Sequence, residues 1–151
     1  MQRIILGMDK DVLEKYRKAG KINFEVQQEV RGMLKPGMRL LDIAEFIEKS
    51  IKEKGGKTAF PANTSLNDIA AHYIPRMNDD ATLGEKDLLK IDIGVEVDGY
   101  ISDSAFTWSS EKSTLIDCAE AAVNAGIAII KPGVKVWEIS KAIEQAVKKA
   151  G

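Results

Sequence analysis

The 151-residue sequence contains one cysteine and one histidine, and neither sign of charge is in excess: 22 lysines and arginines stand against 23 aspartates and glutamates. The lone thiol, Cys118, excludes an internal disulfide framework and suits a reducing compartment, so a cytoplasmic location is expected. One histidine excludes a His-rich metal site built from this chain alone. The balanced charge removes the usual argument for direct nucleic-acid binding or for an anionic membrane, which is a basic excess or patch. No apolar run approaches the roughly 20 residues of a membrane span. The opening MQRIILGMDKD returns to charge too soon for a secretory signal. What remains is a soluble globular composition, 44% hydrophobic and 30% charged, in a chain long enough to bury a core.

Helix formers run from Met8 to about Leu34, with Leu13, Tyr16, Ile22, Val26 and Val30 near helical spacing, until Pro36-Gly37 ends them. A second helix carries Leu40, Ile43, Phe46, Ile47 and Ile51 on one face and stops at Gly55-Gly56. Extended signals follow: short segments around Phe60 and over Ile69–Ile74, then a strong pair at 88–97 and 100–108 joined by Asp98-Gly99, a favoured two-residue hairpin turn. Ser113 is placed to cap a helix running through Ile130, and a last helix begins near Val136 after Pro132-Gly133. Helices flanking hairpin strands predict an α+β fold with an antiparallel sheet and amphipathic helices packed on one face.

The chain also repeats itself. KPGMRLLDIAEFIEKSIKEKGG from Lys35 resembles KPGVKVWEISKAIEQAVKKAG from Lys131. Ile43, Ile47, Glu48, Lys52 and Gly55 match Ile139, Ile143, Glu144, Lys148 and Gly151. Two amphipathic helices after a Pro-Gly break can converge by composition alone. If the repeat is genuine, residues 1–110 form one full unit and 111–151 the helical part of a second, incomplete one.

The hairpin carries the chemistry. With Asp98-Gly99 as a two-residue loop, Val97 lies opposite Tyr100, Asp92 opposite Ala105 and Asp103 opposite Gly94. Side chains alternate along a strand and directly paired residues share a face. Asp92 and Asp103 are therefore diagonal neighbours on one face, with Cβ atoms roughly 7 Å apart. Leu89, Ile91, Ile93, Val95 and Val97 line the other, which the helices are expected to cover. Gly94 beside Asp103 is expected to leave room for a metal or substrate. Two carboxylates so close repel, which invites a shared proton or a cation, and hard oxygen ligands suit divalent ions. The plainer reading is a solvated face on which Lys90 neutralises Asp92 and Glu96 is an exposed edge charge near the turn. His72, in SLNDIAAHYIP, is either a hydrogen-bonded structural residue or a donor to a substrate carbonyl.

At this point AFPANTSLNDIAAHYIP and LLKIDIGVEVDGYISDSAFTW are identified together. A histidine in an N-(D/E)-I-A-A-H-Y context, an aspartate in K-I-D-x-G and a second aspartate before a small-Ala-Phe-Thr run resemble the type II methionine aminopeptidases. The resemblance extends from the first helix to Gly151. It implies a pita-bread fold of two similar α+β halves, of which this chain is the N-terminal one, and it accounts for the repeat. It further implies two divalent metal ions (Co, Mn, Fe, Zn or Ni), one chelated by Asp92 and both bridged by Asp103. His72 takes the role of the catalytic, substrate-binding histidine beside the scissile peptide. The implied reaction removes the initiator methionine from N-terminal methionyl peptides of nascent chains. The family's other ligands, a histidine and two glutamates, belong to the second half's β region. The expectation is that this chain alone has little activity and pairs with that half or with a second copy of itself as a homodimer. At Glu96 the family often has a histidine, and no consequence is expected there. The two-aspartate hairpin is also shared by proline-specific peptidases of the same fold, and a non-catalytic binding module on the fold is a third reading; the FPANTSLNDIAAHY context favours the first.

Overall fold

The computed structural model describes residues 8–150, so the MQRIILG stretch and the Gly151 end of the repeat lie outside the described residues. These form two compact units that divide between Ser110 and Glu111. The first contains helices α1 (Lys10–Met33) and α2 (Leu40–Glu53), then strands β1 (Lys57–Leu66), β2 (Leu89–Val97) and β3 (Tyr100–Trp108). The strands form one antiparallel sheet in the order β1-β2-β3. The second unit contains helices α3 (Thr114–Ala128) and α4 (Val136–Ala150). The expected α+β class is what the chain adopts. No helix among the described residues is long and apolar enough to cross a membrane.

In the first unit, binary patterning explains the layers. Ile22, Val26 and Val30 of α1 and Ile43, Ile47 and Ile51 of α2 pack on Leu89, Ile91, Ile93 and Val95 of β2, all buried in one apolar core. Removing side chains of this size from water contributes about 1.5–3 kcal/mol each. The helices thus cover one face of the sheet, and the alternate residues of β2 are left on the other.

The inward face of α1 differs in detail from the expected stripe. Leu13 and Tyr16 are exposed, while Ala19 and Asn23 are buried. Tyr16 instead makes an edge-to-face contact with Tyr100, beside the hairpin turn. The segment Ile69–Ile74 is not a strand: it lies in a long connection between β1 and β2, and His72 within it and the turn residues Asn67 and Asn78 on either side have positive φ. Ser113 does occupy the N-cap of α3, but only its backbone carbonyl bonds into the helix, accepting from Asp117 N.

Both Lys-Pro-Gly segments fold alike. Gly37 and Gly133 have φ of 89° and 90°, a conformation open to glycine at little cost. Met38 N donates to Lys35 O, and Val134 N to Lys131 O. Helices begin five residues after each lysine. Burial then separates the copies. Ile47 is fully buried, whereas its counterpart Ile143 is 36% exposed. Ile143 packs on Gly126 of α3, where an added Cβ would come within 3.1 Å of its side chain. The described part of the second unit contains no strand, so α4 has no sheet of its own unit to bury its stripe against.

That inequality is measurable. Ile47→Ala is expected to cost about 2–5 kcal/mol, and Ile143→Ala roughly half as much or less. Urea unfolding followed by circular dichroism checks this, and equal losses would contradict it.

Candidate metal centre

The turn Asp98-Gly99 has φ of 51° and 86° at its two central residues, as a two-residue hairpin loop of the primed type requires. Glu96 is not an idle edge charge, because its Oε1 accepts from Gly99 N at 2.6 Å and braces the turn. The resulting register pairs Asp92 with Ala105 and Gly94 with Asp103, as the turn predicts. Asp92 is half-buried and Asp103 exposed, both on the face the helices do not cover.

Strand β1 completes this face by breaking its own alternation. Phe60 pairs with Gly94 and Asn63 with Asp92, three steps along β1 against two along β2. Without the irregularity, residues 60 and 63 would point to opposite faces. Pro61 lies inside it, where a missing N–H costs no ladder bond, and Ala62 N donates to Glu48 Oε1 of α2 at 3.3 Å. This one extra residue places both Phe60 and Asn63 beside the carboxylates. Neither was singled out for that role in the sequence, although a proline inside an otherwise extended run is a bulge signal.

The expected room over Gly94 is not there. A Cβ on Gly94 would lie 2.6 Å from Phe60 Cδ1 and 2.8 Å from Cζ, so the ring occupies the space the missing side chain leaves. Glycine is needed for the close approach of Phe60.

The electrostatics are those of a carboxylate pair. Burial, followed by the negative charge of Asp103 and a hydrogen bond shared with it, pushes the Asp92 carboxyl above its ordinary range; His72 and the Ile93 N–H pull the other way. Lys90 does not neutralise Asp92. Its ammonium donates to Asn67 O at 2.7 Å, and partial burial lowers its pKa. Asp92 Oδ1 and Asn63 Oδ1, side by side across β1 and β2, are both buried without a hydrogen-bond partner in the protein. Asn63 spends its amide N–H on Pro61 O. Buried oxygens of this kind are costly unless a donor or cation meets them. Among the described residues no group of three or more His, Cys, Asp or Glu side chains is placed to hold a metal ion. Two carboxylates with a neighbouring amide oxygen are the donor set, and they fit a hard divalent cation.

His72 is exposed, in the left-handed region at φ 67°, and close enough to Asp92 for its positive charge to favour the carboxylate. Its conformation is held through its neighbour. Thr64 N donates to Tyr73 O at 2.8 Å, and Tyr73 N to Ser65 Oγ at 3.2 Å. Tyr73 Oη donates to Asp79 Oδ2 at 2.8 Å, while Asp79 Oδ1 accepts from Ala81 N. The three residues singled out in the sequence are therefore brought to one region, two on the hairpin and one on the connection beside it.

The sequence pattern of metallopeptidase family M24 matches residues 14–151. The methionine aminopeptidase of Thermococcus onnurineus (strain NA1) is 48% identical over 143 residues, covering 93% of this chain and 48% of that protein. The crystal structure of methionine aminopeptidase from Rickettsia prowazekii is similar with a TM-score of 0.85 at 25% identity, covering 93% of this chain and 61% of that one. Proline aminopeptidase P II from Yersinia pestis shares the fold with a TM-score of 0.85 at 20% identity, covering 96% of this chain and 35% of that one. The chain spans about half the length of the curated relatives it matches.

Because the folded state holds the Asp92 proton more tightly than the unfolded chain does, the contribution of Asp92 to metal-free stability is fully present below the ordinary Asp pKa, about 3.9, and is lost as pH rises through the raised value. Asp92→Asn removes that loss. In chelator, the variant should melt higher than wild type at neutral pH and the difference should vanish in acid. Thermal melts across pH check this; a variant that melts lower at neutral pH overturns it.

Proposed function

The chain belongs to metallopeptidase family M24, and on that premise we propose that it is part of an aminopeptidase that removes the initiator methionine from nascent polypeptides in the cytoplasm. The observation that carries this reading is the diagonal Asp92–Asp103 pair, in which Asp92 is raised in proton affinity, bordered by buried oxygens without partners. Methionine rather than proline specificity is supported by relatives at 43–48% identity named methionine aminopeptidase. The proline peptidases are similar in fold at lower identity.

Asp92 and Asp103 would be the residues of this chain that hold the divalent metal, two ions of Co, Mn, Fe, Zn or Ni. Such ions supply Lewis acidity toward a peptide carbonyl and acidify water at neutral pH. The chain's own residues do the rest. His72, which can donate or accept near neutral pH, faces the scissile carbonyl and steadies negative charge developing on its oxygen. The bonds through Tyr73 hold the backbone from which that imidazole projects. The Phe60 ring sets an apolar surface next to two carboxylates, a combination suited to an apolar side chain attached to a free α-amino group. The sheet order leaves β1 and β3 as edge strands, and edge strands tend to pair. A homodimer, or association with a similar half, follows from that edge.

Two carboxylates bind a divalent ion weakly, so the 151-residue chain alone is expected to release little or no methionine from a Met-Ala-Ser peptide. Calorimetry with Mn²⁺ should nevertheless give a heat that Asp103→Asn weakens by about tenfold or more. An identical isotherm for the variant would sink the metal assignment. Light scattering should report a species larger than the monomer at high micromolar concentration; a monomer there counts against pairing through the sheet edge.

A further inference from the structure

Asn23 sits on the inward face of α1 among Ala19, Ile22 and Val26, 1% exposed, at a position where a leucine would bury more apolar surface. Its Nδ2 donates to two backbone carbonyls on different strands, Ile93 O at 2.9 Å and Ser102 O at 3.1 Å. Its Oδ1 accepts from Ser104 Oγ at 2.7 Å and from Gln27 Nε2 at 3.1 Å. Both amide hydrogens and both lone pairs are therefore used. The orientation of the amide is fixed by chemistry, since a flipped amide would set its oxygen against two carbonyl oxygens.

The two carbonyls are not arbitrary. Ile93 follows Asp92 and precedes Gly94, and Ser102 precedes Asp103. The cross-strand pairs Ile93–Ser104 and Val95–Ser102 flank the Gly94–Asp103 pair. A single nitrogen thus ties β2 to β3 at the step from which the two carboxylates project, on the face opposite to them. Gly94 is the weak point of that step, because glycine packs nothing and loosens a strand. The Phe60 ring presses on it from the carboxylate face, and Asn23 bonds the strands around it from the helix face.

We propose that Asn23 is a positioning residue for the carboxylate pair: by bridging Ile93 O and Ser102 O it holds β2 and β3 at the separation and twist that set the Asp92–Asp103 spacing. The proposal rests on the reading of those aspartates as the metal-holding pair, and its test separates the two. Asn23→Leu keeps the branched shape and heavy-atom count of the side chain and removes the bridge. Ser104→Ala, on β3, removes one of the bonds that orient the amide and acts more mildly, so it remains informative if the first variant fails to fold.

Two measurements are made on the whole chain. In the metal-free state, amide hydrogen exchange at residues 92–95 and 102–105 should quicken by about tenfold in Asn23→Leu relative to the amides of α2, and by less in Ser104→Ala. Mn²⁺ binding by calorimetry should weaken by about tenfold in Asn23→Leu. Exchange that quickens equally in α2 and in the hairpin, with Mn²⁺ affinity unchanged, overturns the proposal and leaves Asn23 a core-packing residue. If the wild-type chain shows no Asp103-dependent Mn²⁺ heat, it is the metal reading that fails, and the local pattern of exchange still decides for or against Asn23.

Discussion

The site depends on the parity of the β2–β3 register. Side chains alternate with a period of two, so a slip of one residue would carry Asp92 and Asp103 under the helices and expose Leu89, Ile91, Ile93 and Val95. Each of those aliphatic side chains is completely buried, and exposing one would cost about 1.5–3 kcal/mol. The repulsion between two carboxylates near 4 Å is about 1–4 kcal/mol. The apolar face therefore outweighs the polar one and holds two like charges together. The Asp98-Gly99 turn selects the same register locally, since both positions need positive φ and the Glu96 carboxylate accepts from the turn's own N–H. Local turn chemistry and nonlocal burial agree, which is why the hairpin tolerates an unfavourable pair of charges.

How much of this was legible in the sequence follows from the range of the interactions involved. The hairpin, its register and the shared face of Asp92 and Asp103 are products of short-range rules, a two-residue turn and strict alternation. The inward residues of α2 follow from helical spacing for the same reason. The β1 contribution was hidden because the irregularity around Pro61 changes which residues share a face, and its stray N–H is satisfied only by Glu48 of another element. The His72 segment reads as weakly extended on its β-branched and aromatic residues, Ile69, Tyr73 and Ile74. Its left-handed backbone is instead held at Tyr73, which accepts from Thr64 N and donates to Ser65 Oγ and Asp79 Oδ2. Lys90 lay on the right face to neutralise Asp92, but the Asn67 carbonyl takes its ammonium. Asn23 was invisible as anything but part of a helix, since its partners are 70 and 79 residues away.

The repeated Lys-Pro-Gly segments show the same division between local and nonlocal causes. Proline and glycine fix the turn, and the glycine φ values agree within a degree. Amphipathic spacing then yields a helix in each copy. Burial does not follow from either signal. α2 lies against its own unit's sheet and hides Ile43, Ile47 and Ile51, whereas α4 carries the equivalent pattern with no fully buried residue. Periodicity states which face of a helix wants to be covered; a sheet must be present before that face contributes to stability.

The same reasoning applies to the carboxylate face. Asp92 is destabilising as an anion in the metal-free protein, because burial and Asp103 both oppose its charge. A cation such as Lys90, which lies two residues away on the same face, would offset that cost. Instead the lysine is engaged elsewhere, and the Gly94 step between the carboxylates is held from one face by an aromatic ring and from the other by an amide. The unfavourable charges at Asp92 and Asp103 and the bracing at Ile93, Gly94 and Ser102 occupy adjacent strand positions. Anything that binds the folded pair and not the unfolded chain would recover that lost stability in proportion to its occupancy. Stability and the binding of any such ligand would thus be coupled through one pair of carboxylates, with the rigidity of the hairpin around Gly94 setting how strongly.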